Sequence, residues 1–216
     1  MEVKFKHPFS MLVSGGRGAG KTEFTKDLLL FRNECIDKPI DRLVWLYAKH
    51  QPNLYSELLQ IDSNIEYING ITSDLESIFD MNVTNLLVID DLMEEASKDK
   101  EIQNLFTRGR HLNLSVIFLT QNLFHKQQRV ISLNSDYMVI FKNPRDKSQF
   151  SNLARQVMPR NRTFLENAFE DAVKNPFGYL FLDLKPSTDD KFRIRTRVLP
   201  HNDSNTHFQY QILYTR

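Results

Sequence analysis

Residues 15–22 read Gly-Gly-Arg-Gly-Ala-Gly-Lys-Thr, a G-x-x-x-x-G-K-T pattern. Gly15, Gly16, Gly18 and Gly20 admit backbone conformations closed to other residues. The N–H groups of the stretch, those of Arg17 and Ala19 included, can therefore turn inward. Such a nest, opening onto a helix N-terminus, takes phosphate oxygens. Lys21 is spaced to reach the β- and γ-phosphates, and the Thr22 hydroxyl to ligate Mg²⁺. That chemistry needs a strand before the loop and a helix after it. Phe9 to Ser14 is a short strand-like run. Phe24, Leu28 and Phe31 recur at i, i+4 and i+7, one buried helix face. In this context the pattern predicts a phosphate loop for ATP with Mg²⁺.

A second constellation stands at residues 86–91, Leu-Leu-Val-Ile-Asp-Asp. A continuous apolar run suits a central parallel strand. It delivers a carboxylate to its C-terminal end, the Walker B arrangement. Strand neighbours point to opposite sides, so the two carboxylates cannot both face one ligand in regular geometry. Asp90 is assigned to the Mg²⁺ shell beside Thr22, and Asp91, just past the strand, to activating water. Glu94 and Glu95 compete for the role of base. A third apolar run, Ser115 to Thr120, ends in Gln121, which can orient water or report hydrolysis at the γ-phosphate. Arg108 and Arg110 precede that run and Arg129 follows it. In ring-shaped ATPases an arginine from a neighbouring subunit stabilises charge on the transferring phosphoryl group, and these three are the candidates.

The elements that must position these groups alternate between β-type runs and amphipathic helices, the pattern of a parallel sheet covered on both faces. Strands are expected at Arg42 to Ala48, Asn64 to Ile68, Leu86 to Ile89, Ser115 to Thr120 and Tyr137 to Phe141. Helices are expected from Pro52 to Leu59, Ser73 to Phe79, Glu94 to Arg108, Lys147 to Val157 and Arg162 to Lys174. Tyr179 to Leu184 and Phe192 to Leu199 read as closing strands with an antiparallel component. A β-type segment between the loop and Asp90 puts the chain in the P-loop class with an additional strand and a catalytic acid. The predicted fold class is α/β, a parallel-core sheet between helices. Residues 1–199 form the ATPase domain and 200–216 a polar C-terminal tail.

Composition sets outer bounds. The 216 residues suit one α/β domain, and 41% apolar with 25% charged residues is ordinary for a globular chain. The balance of 28 basic and 27 acidic residues excludes a highly basic coat protein but not a local nucleic-acid patch. Cys35 is the only cysteine, so no internal disulfide can form, which fits a reducing compartment. Its expected role is a small, semi-buried side chain. The first residues have no apolar run of the signal-peptide kind, and no stretch approaches the roughly 20 apolar residues of a membrane helix.

With these residues assembled, the chain resembles the FtsK/HerA-type DNA-packaging ATPases of Polinton (Maverick) elements and adintovirus-like double-stranded DNA viruses. The resemblance rests on FTRGRHLNLSVIFLTQNLF from Phe106 to Phe124, RVISLNSDY from Arg129 to Tyr137, and FKNPRD from Phe141 to Asp146, together with the loop and the Asp90-Asp91 pair. It covers roughly residues 8 to 185. Arg110 stands where the family pattern has a small polar residue, and Asp91 where many relatives outside this branch have Glu. The resemblance implies an oligomeric ring that drives double-stranded DNA into a preformed capsid. Its partners would be the DNA backbone, without sequence readout, and capsid vertex proteins. It would work inside the host cell, in cytoplasm or nucleus, at assembling virions.

Such a motor must grip phosphates. In Phe192 to Val198, period-two alternation would put Arg193, Arg195 and Arg197 on one strand face, about 7 Å apart; the alternative is a charged edge strand that resists aggregation. Arg155, Arg160 and Arg162 form a second basic group. Two other functions remain open from the residues: a nucleotide-binding switch or scaffold with little turnover, and a small-molecule kinase, for which no acceptor pocket or lid is evident.

Overall fold

Five consecutive parallel strands carry the apolar runs that the sequence marks. In the computed structural model, which describes residues 4–71, 74–90, 92, 100–123, 129–200 and 212–215, these are β1 (Ser10–Ser14), β2 (Arg42–Tyr47), β4 (Asn85–Asp90), β5 (Leu114–Thr120) and β6 (Tyr137–Phe141). A further parallel strand, β3 (Glu66–Asn69), lies at one edge. On the other side β7 (Tyr179–Asp183), β8 (Ile194–Thr196) and β9 (Ile212–Leu213) add in antiparallel sense. The nine-stranded order is β3-β2-β4-β5-β1-β6-β7-β8-β9.

Both faces of the sheet are buried, which is why the central strands carry unbroken apolar runs, such as Met11 to Val13, Leu43 to Leu46, Leu86 to Ile89 and Val116 to Leu119, rather than apolar residues at alternate positions. Met11, Val13, Trp45, Val88, Ile117, Val139 and Phe181 face one layer; Leu12, Leu46, Ile89, Phe118, Ile140 and Leu182 face the other. Helices α1 (Lys21–Leu30), α2 (Arg32–Cys35) and α3 (Pro52–Ile61) cover the first face through Phe24, Leu28, Cys35, Leu54 and Leu58. Helices α4 (Lys100–Arg108), α5 (Arg129–Leu133), α6 (Ser148–Val157) and α7 (Arg162–Ala172) cover the second through Leu105, Ile131, Leu153, Leu165 and Ala168. Cys35 is buried within the first layer, a packing role for a small thiol. No described helix is long and apolar enough to cross a membrane.

Two expectations change on folding. The stretch before Phe79 forms a short 3-10 turn, Leu75–Ile78, rather than an α-helix. The closing strand around Ile194 is three residues long. A 3-10 turn at Asp190–Phe192 precedes it, and Arg197 follows at φ 53, outside strand geometry. Beyond Pro200, Ile212–Leu213 pair with Arg195 and Thr196, and the Tyr214 hydroxyl donates to Asp171 at 2.7 Å.

Candidate functional site

The loop leaves the carboxyl end of β1 and runs directly into α1. The Gly15 N–H donates to the Thr120 carbonyl at 3.2 Å, tying the loop's first residue to the tip of β5. A methyl built on Gly15 would lie 2.6 Å from Phe141 Cβ, so no larger residue fits between β1 and β6 here. Gly18 and Gly20 take φ +72 and +107, the left-handed region that L side chains rarely adopt. Gly20 also occupies the N-cap of α1 without a side-chain cap, leaving first-turn N–H groups directed at whatever the loop holds.

Individual loop residues play unequal parts. Arg17 is exposed at the tip. The Ala19 N–H donates to the Gly16 carbonyl at 3.2 Å, so this N–H shapes the loop from within. Lys21 Nζ donates to the Gly15 and Gly16 carbonyls at 2.9 and 3.1 Å, which folds the ammonium across the loop mouth. Thr22 is half-buried on the first turn of α1.

Strand order brings the other predicted groups to the same edge. Ser14 lies in register with Thr120, so Gln121 stands exposed abreast of Gly15. Asp90 lies in register with Leu119 of β5 and Tyr47 of β2. β5 therefore sits between the loop strand and the acid strand, which is the additional-strand arrangement. The sequence showed only that strands intervene along the chain; that β5 is the one inserted in space is a finding of the sheet. Asp90 is 8% exposed. Thr22 and Asp90 supply a hydroxyl and a carboxylate oxygen, the hard donors that Mg²⁺ takes from protein while keeping water and phosphate for its other positions. Among the described residues there is no group of three or more His, Cys, Asp or Glu that could hold a metal by itself. Asp91, Glu94 and Glu95 lie outside the described residues.

The arginines divide. Arg108 ends α4 and is exposed; the following turn packs Gly109 against Leu114, at the start of β5. That is the opposite edge of the sheet from the loop, about 20 Å away along six strand residues. Arg110 is on the same far edge, paired with Asp136 at 2.9 Å. Arg129 is exposed at the start of α5. Neither Arg108 nor Arg110 lies at its own chain's loop.

The basic strand face is not formed. Arg195 is 1% exposed, 3.7 Å from Asp183 and stacked 4.6 Å from the Phe181 ring centre. Arg193 Nε pairs with Asp190 at 3.1 Å, and its other nitrogens donate to the Asp183, Lys185 and Thr188 carbonyls. Only Arg197 is exposed. The alternation argument needs a regular strand with one face in water. β8 instead lies between β7 and β9, and its register places Arg195 opposite Phe181. In the second basic group Arg162 is engaged with Glu166 and Ser151 at 2.8 and 2.7 Å.

Sequence reading missed an aromatic wall beside Asp90. Tyr47 and Tyr67 stack at 4.0 Å, Tyr55 and Tyr67 at 4.8 Å, and His50 tilts over all three. Burial pushes the Tyr67 hydroxyl pKa up, with the nearby charges of Tyr47 and Asp90 adding to it. These residues come from β2, β3, α3 and a loop, at no common spacing, so no sequence period marks them. Asn143 and Phe177 were also missed; they flank the loop, against Gly16 and Gly20.

A sheet with β5 between β1 and β4, a glycine-rich loop at the tip of β1 and an acid at the tip of β4 defines a P-loop NTPase of the additional-strand class. Within that class the chain belongs to the family described as Poxvirus A32 protein, whose profile matches residues 2–156. The DNA packaging protein OPG160 of Vaccinia virus (strain Copenhagen) is 28% identical over 138 residues, 57% of this chain and 50% of that protein. The Monkeypox virus protein of the same name is 28% identical over the same length, covering 45% of that protein. The chain thus spans about half the length of the curated relatives it matches. Among solved structures, the genome packaging NTPase B204 of Sulfolobus turreted icosahedral virus 2, in complex with ATP-gammaS, superposes with a TM-score of 0.57 at 15% identity. That match covers 87% of this chain and 96% of B204. Two ATPase domains of EssC from Geobacillus thermodenitrificans superpose at 0.55 and 13% identity, over 90% of this chain and 40% of that one. At such identities these structures speak to the fold alone.

Proposed function

We propose that the chain is an ATPase that drives DNA translocation during the packaging of a viral double-stranded DNA genome into a capsid. The observation that carries the enzymatic part is the convergence of the loop, Asp90 and Gln121 on three adjacent strand tips. Membership in the A32 family, whose relatives are named DNA packaging proteins, supports the choice of cargo.

In this reading the loop N–H groups and the α1 N-terminus hold the phosphates, and Lys21 Nζ exchanges the Gly15 and Gly16 carbonyls for β- and γ-phosphate oxygens. Thr22 and Asp90 would hold Mg²⁺, which when bound neutralises charge on the transferring group. Gln121 orients the attacking water. Asp91 takes its proton, with Glu94 the alternative. Arg129 or Arg108 acts on a neighbouring subunit's nucleotide in a homo-oligomeric ring; Arg108, at the far edge of the sheet, does not reach the loop of its own chain. Contact with DNA is to the backbone, and the ring docks on capsid vertex proteins. The site of action is the host cytoplasm, at assembling virions; the nucleus gains no support.

The test is phosphate release by the assembled oligomer with and without double-stranded DNA of unrelated sequences. The expected result is turnover stimulated by DNA, independent of sequence and with no phosphorylated acceptor. Slow hydrolysis indifferent to DNA would favour a nucleotide switch, and a phosphorylated small molecule would favour a kinase.

A further inference from the structure

Phe177 is the most exposed large apolar residue of those described, at 69%. It also has φ +61, a conformation that a bulky residue adopts only when its surroundings impose it. The turn that holds it is tied to the end of α7. Lys174 N–H donates to Asp171 O at 3.3 Å, and Gly178 N–H to Asn175 O at 3.1 Å. This geometry presents the ring to the phosphate loop: a methyl built on Gly20 would come within 3.3 Å of both Phe177 Cδ1 and Phe141 Cε1. Two clefts, of about 780 and 740 Å³, flank the loop on this side, and Phe141 and Lys174 line both.

The direction of a bound nucleotide follows from the strand order. Asp90 and Gln121 lie on the β5 and β4 side of the loop, so the terminal phosphate points that way. The nucleoside must then leave on the β6 side, where Phe177 stands. We propose that Phe177 is the platform on which the base of the nucleotide stacks, a binding residue for the site described above. The proposal rests on the phosphate-loop reading and adds the base subsite to it. An exposed apolar ring beside a polar loop gains from a flat π partner, and stacking of a base on an aromatic side chain strengthens binding substantially.

The test is calorimetric binding of two probes, Mg-ATPγS and Mg-tripolyphosphate, to the wild type and two variants. Phe177→Gly removes the ring and suits the positive φ, so the backbone is not stressed. It is expected to weaken ATPγS roughly 5- to 100-fold and leave tripolyphosphate unchanged. Phe177→Trp is expected to keep ATPγS affinity. Its added fluorescence should respond to ATPγS and not to tripolyphosphate, over a background from Trp45, which is fully buried. A Gly variant that binds ATPγS as the wild type does would overturn the proposal. So would equal losses for both probes, which would make the ring a support of the loop rather than a seat for the base. Wild-type protein that binds neither probe would overturn the phosphate-loop reading, and this proposal with it.

Discussion

Asp90 and Asp136 are both 8% exposed, and both stand at the end of a central strand, but at opposite edges of the sheet. Asp136, just before β6, is absorbed by the fold. It accepts the Ser10 N–H at 3.0 Å, the Ser10 hydroxyl at 3.3 Å and an Arg110 nitrogen at 2.9 Å. Nearby, His7 bonds to both Ser115 and Asn113. Asp90, at the tip of β4, ends beside a glycine-rich loop, exposed Gln121 and a half-buried threonine. Equal burial of the same side chain thus serves two purposes, and the strand end decides which. At the amino edge, short local contacts close the polar groups on themselves. At the carboxyl edge, successive strands open into loops and helix N-termini, where a ligand can reach the polar groups. Changes at one edge should therefore move stability and at the other binding, with little crossover.

The largest effect is expected from Lys21→Ala. Removing a preorganised cation from a transferring phosphoryl group costs about 100-fold or more in turnover. The ammonium donates to the carbonyls of Gly15 and Gly16 at the loop rather than packing in the core, so thermal unfolding should hardly shift. Phosphate release and a melting curve on the same preparation check this. A variant that hydrolyses ATP at the parental rate, or unfolds well below the parent, would erase the distinction between the edges.

Asp136→Ala should behave in the opposite way. It strands the buried Ser10 N–H, which costs about 1–3 kcal/mol. For a domain of this size that is a fall of roughly 4–8 °C at the middle of that range. The lost ion pair adds little, because the Arg110 side chain is 70% exposed. ATPγS affinity, measured by calorimetry below the new melting point, should be unchanged. A loss of affinity would mean that β1 transmits the amino edge to the loop.

How much of this was legible depended on whether a property is local in sequence. The central strands could be read because each carries an unbroken apolar run, and the loop because its glycines, lysine and threonine lie within one short stretch. The place of Asp90 followed from the strand it ends. Arg195 could not be read, since its burial depends on pairing with Phe181, fixed by a hairpin whose register the sequence leaves open. Phe177 was hidden for the same reason. In Asn-Pro-Phe-Gly it reads as a turn residue, and only the packing of β6 and β7 against β1 brings it to Gly20. Asp136 stood in a quoted motif, RVISLNSDY, without any hint of its partners across the sheet.

The smallest expected effect is a pH dependence confined to the amino edge. His7 is 6% exposed, and burial lowers its pKa below the usual 6.5, with Lys38 acting in the same direction; bonds to Asn113 and the charge of Asp37 oppose this. Its Nε2 faces two oxygens of Asn113, at 3.2 Å each, so the ring hydrogen sits there and is donated. Nδ1 then accepts from the Ser115 hydroxyl at 2.7 Å, while the same oxygen accepts the Phe9 N–H at 3.0 Å. A second proton would go to Nδ1, which could then no longer accept from the Ser115 hydroxyl. Because the folded pKa is the lower one, the unfolded chain binds the proton first as pH falls. Stability is full above 6.5 and declines as pH drops through 6.5 toward the folded value. Carboxylates held low by partners, such as Glu66 beside Arg42, lose their contribution only near pH 4 and below, outside this window. Urea unfolding at pH 8, 7, 6 and 5.5 should therefore show a decline in the wild type that His7→Gln flattens. ATPγS affinity should keep the same pH profile in both proteins. An unfolding free energy that falls equally in the two would assign the titration elsewhere. An altered binding profile in the variant would show that the amino edge is not isolated from the loop.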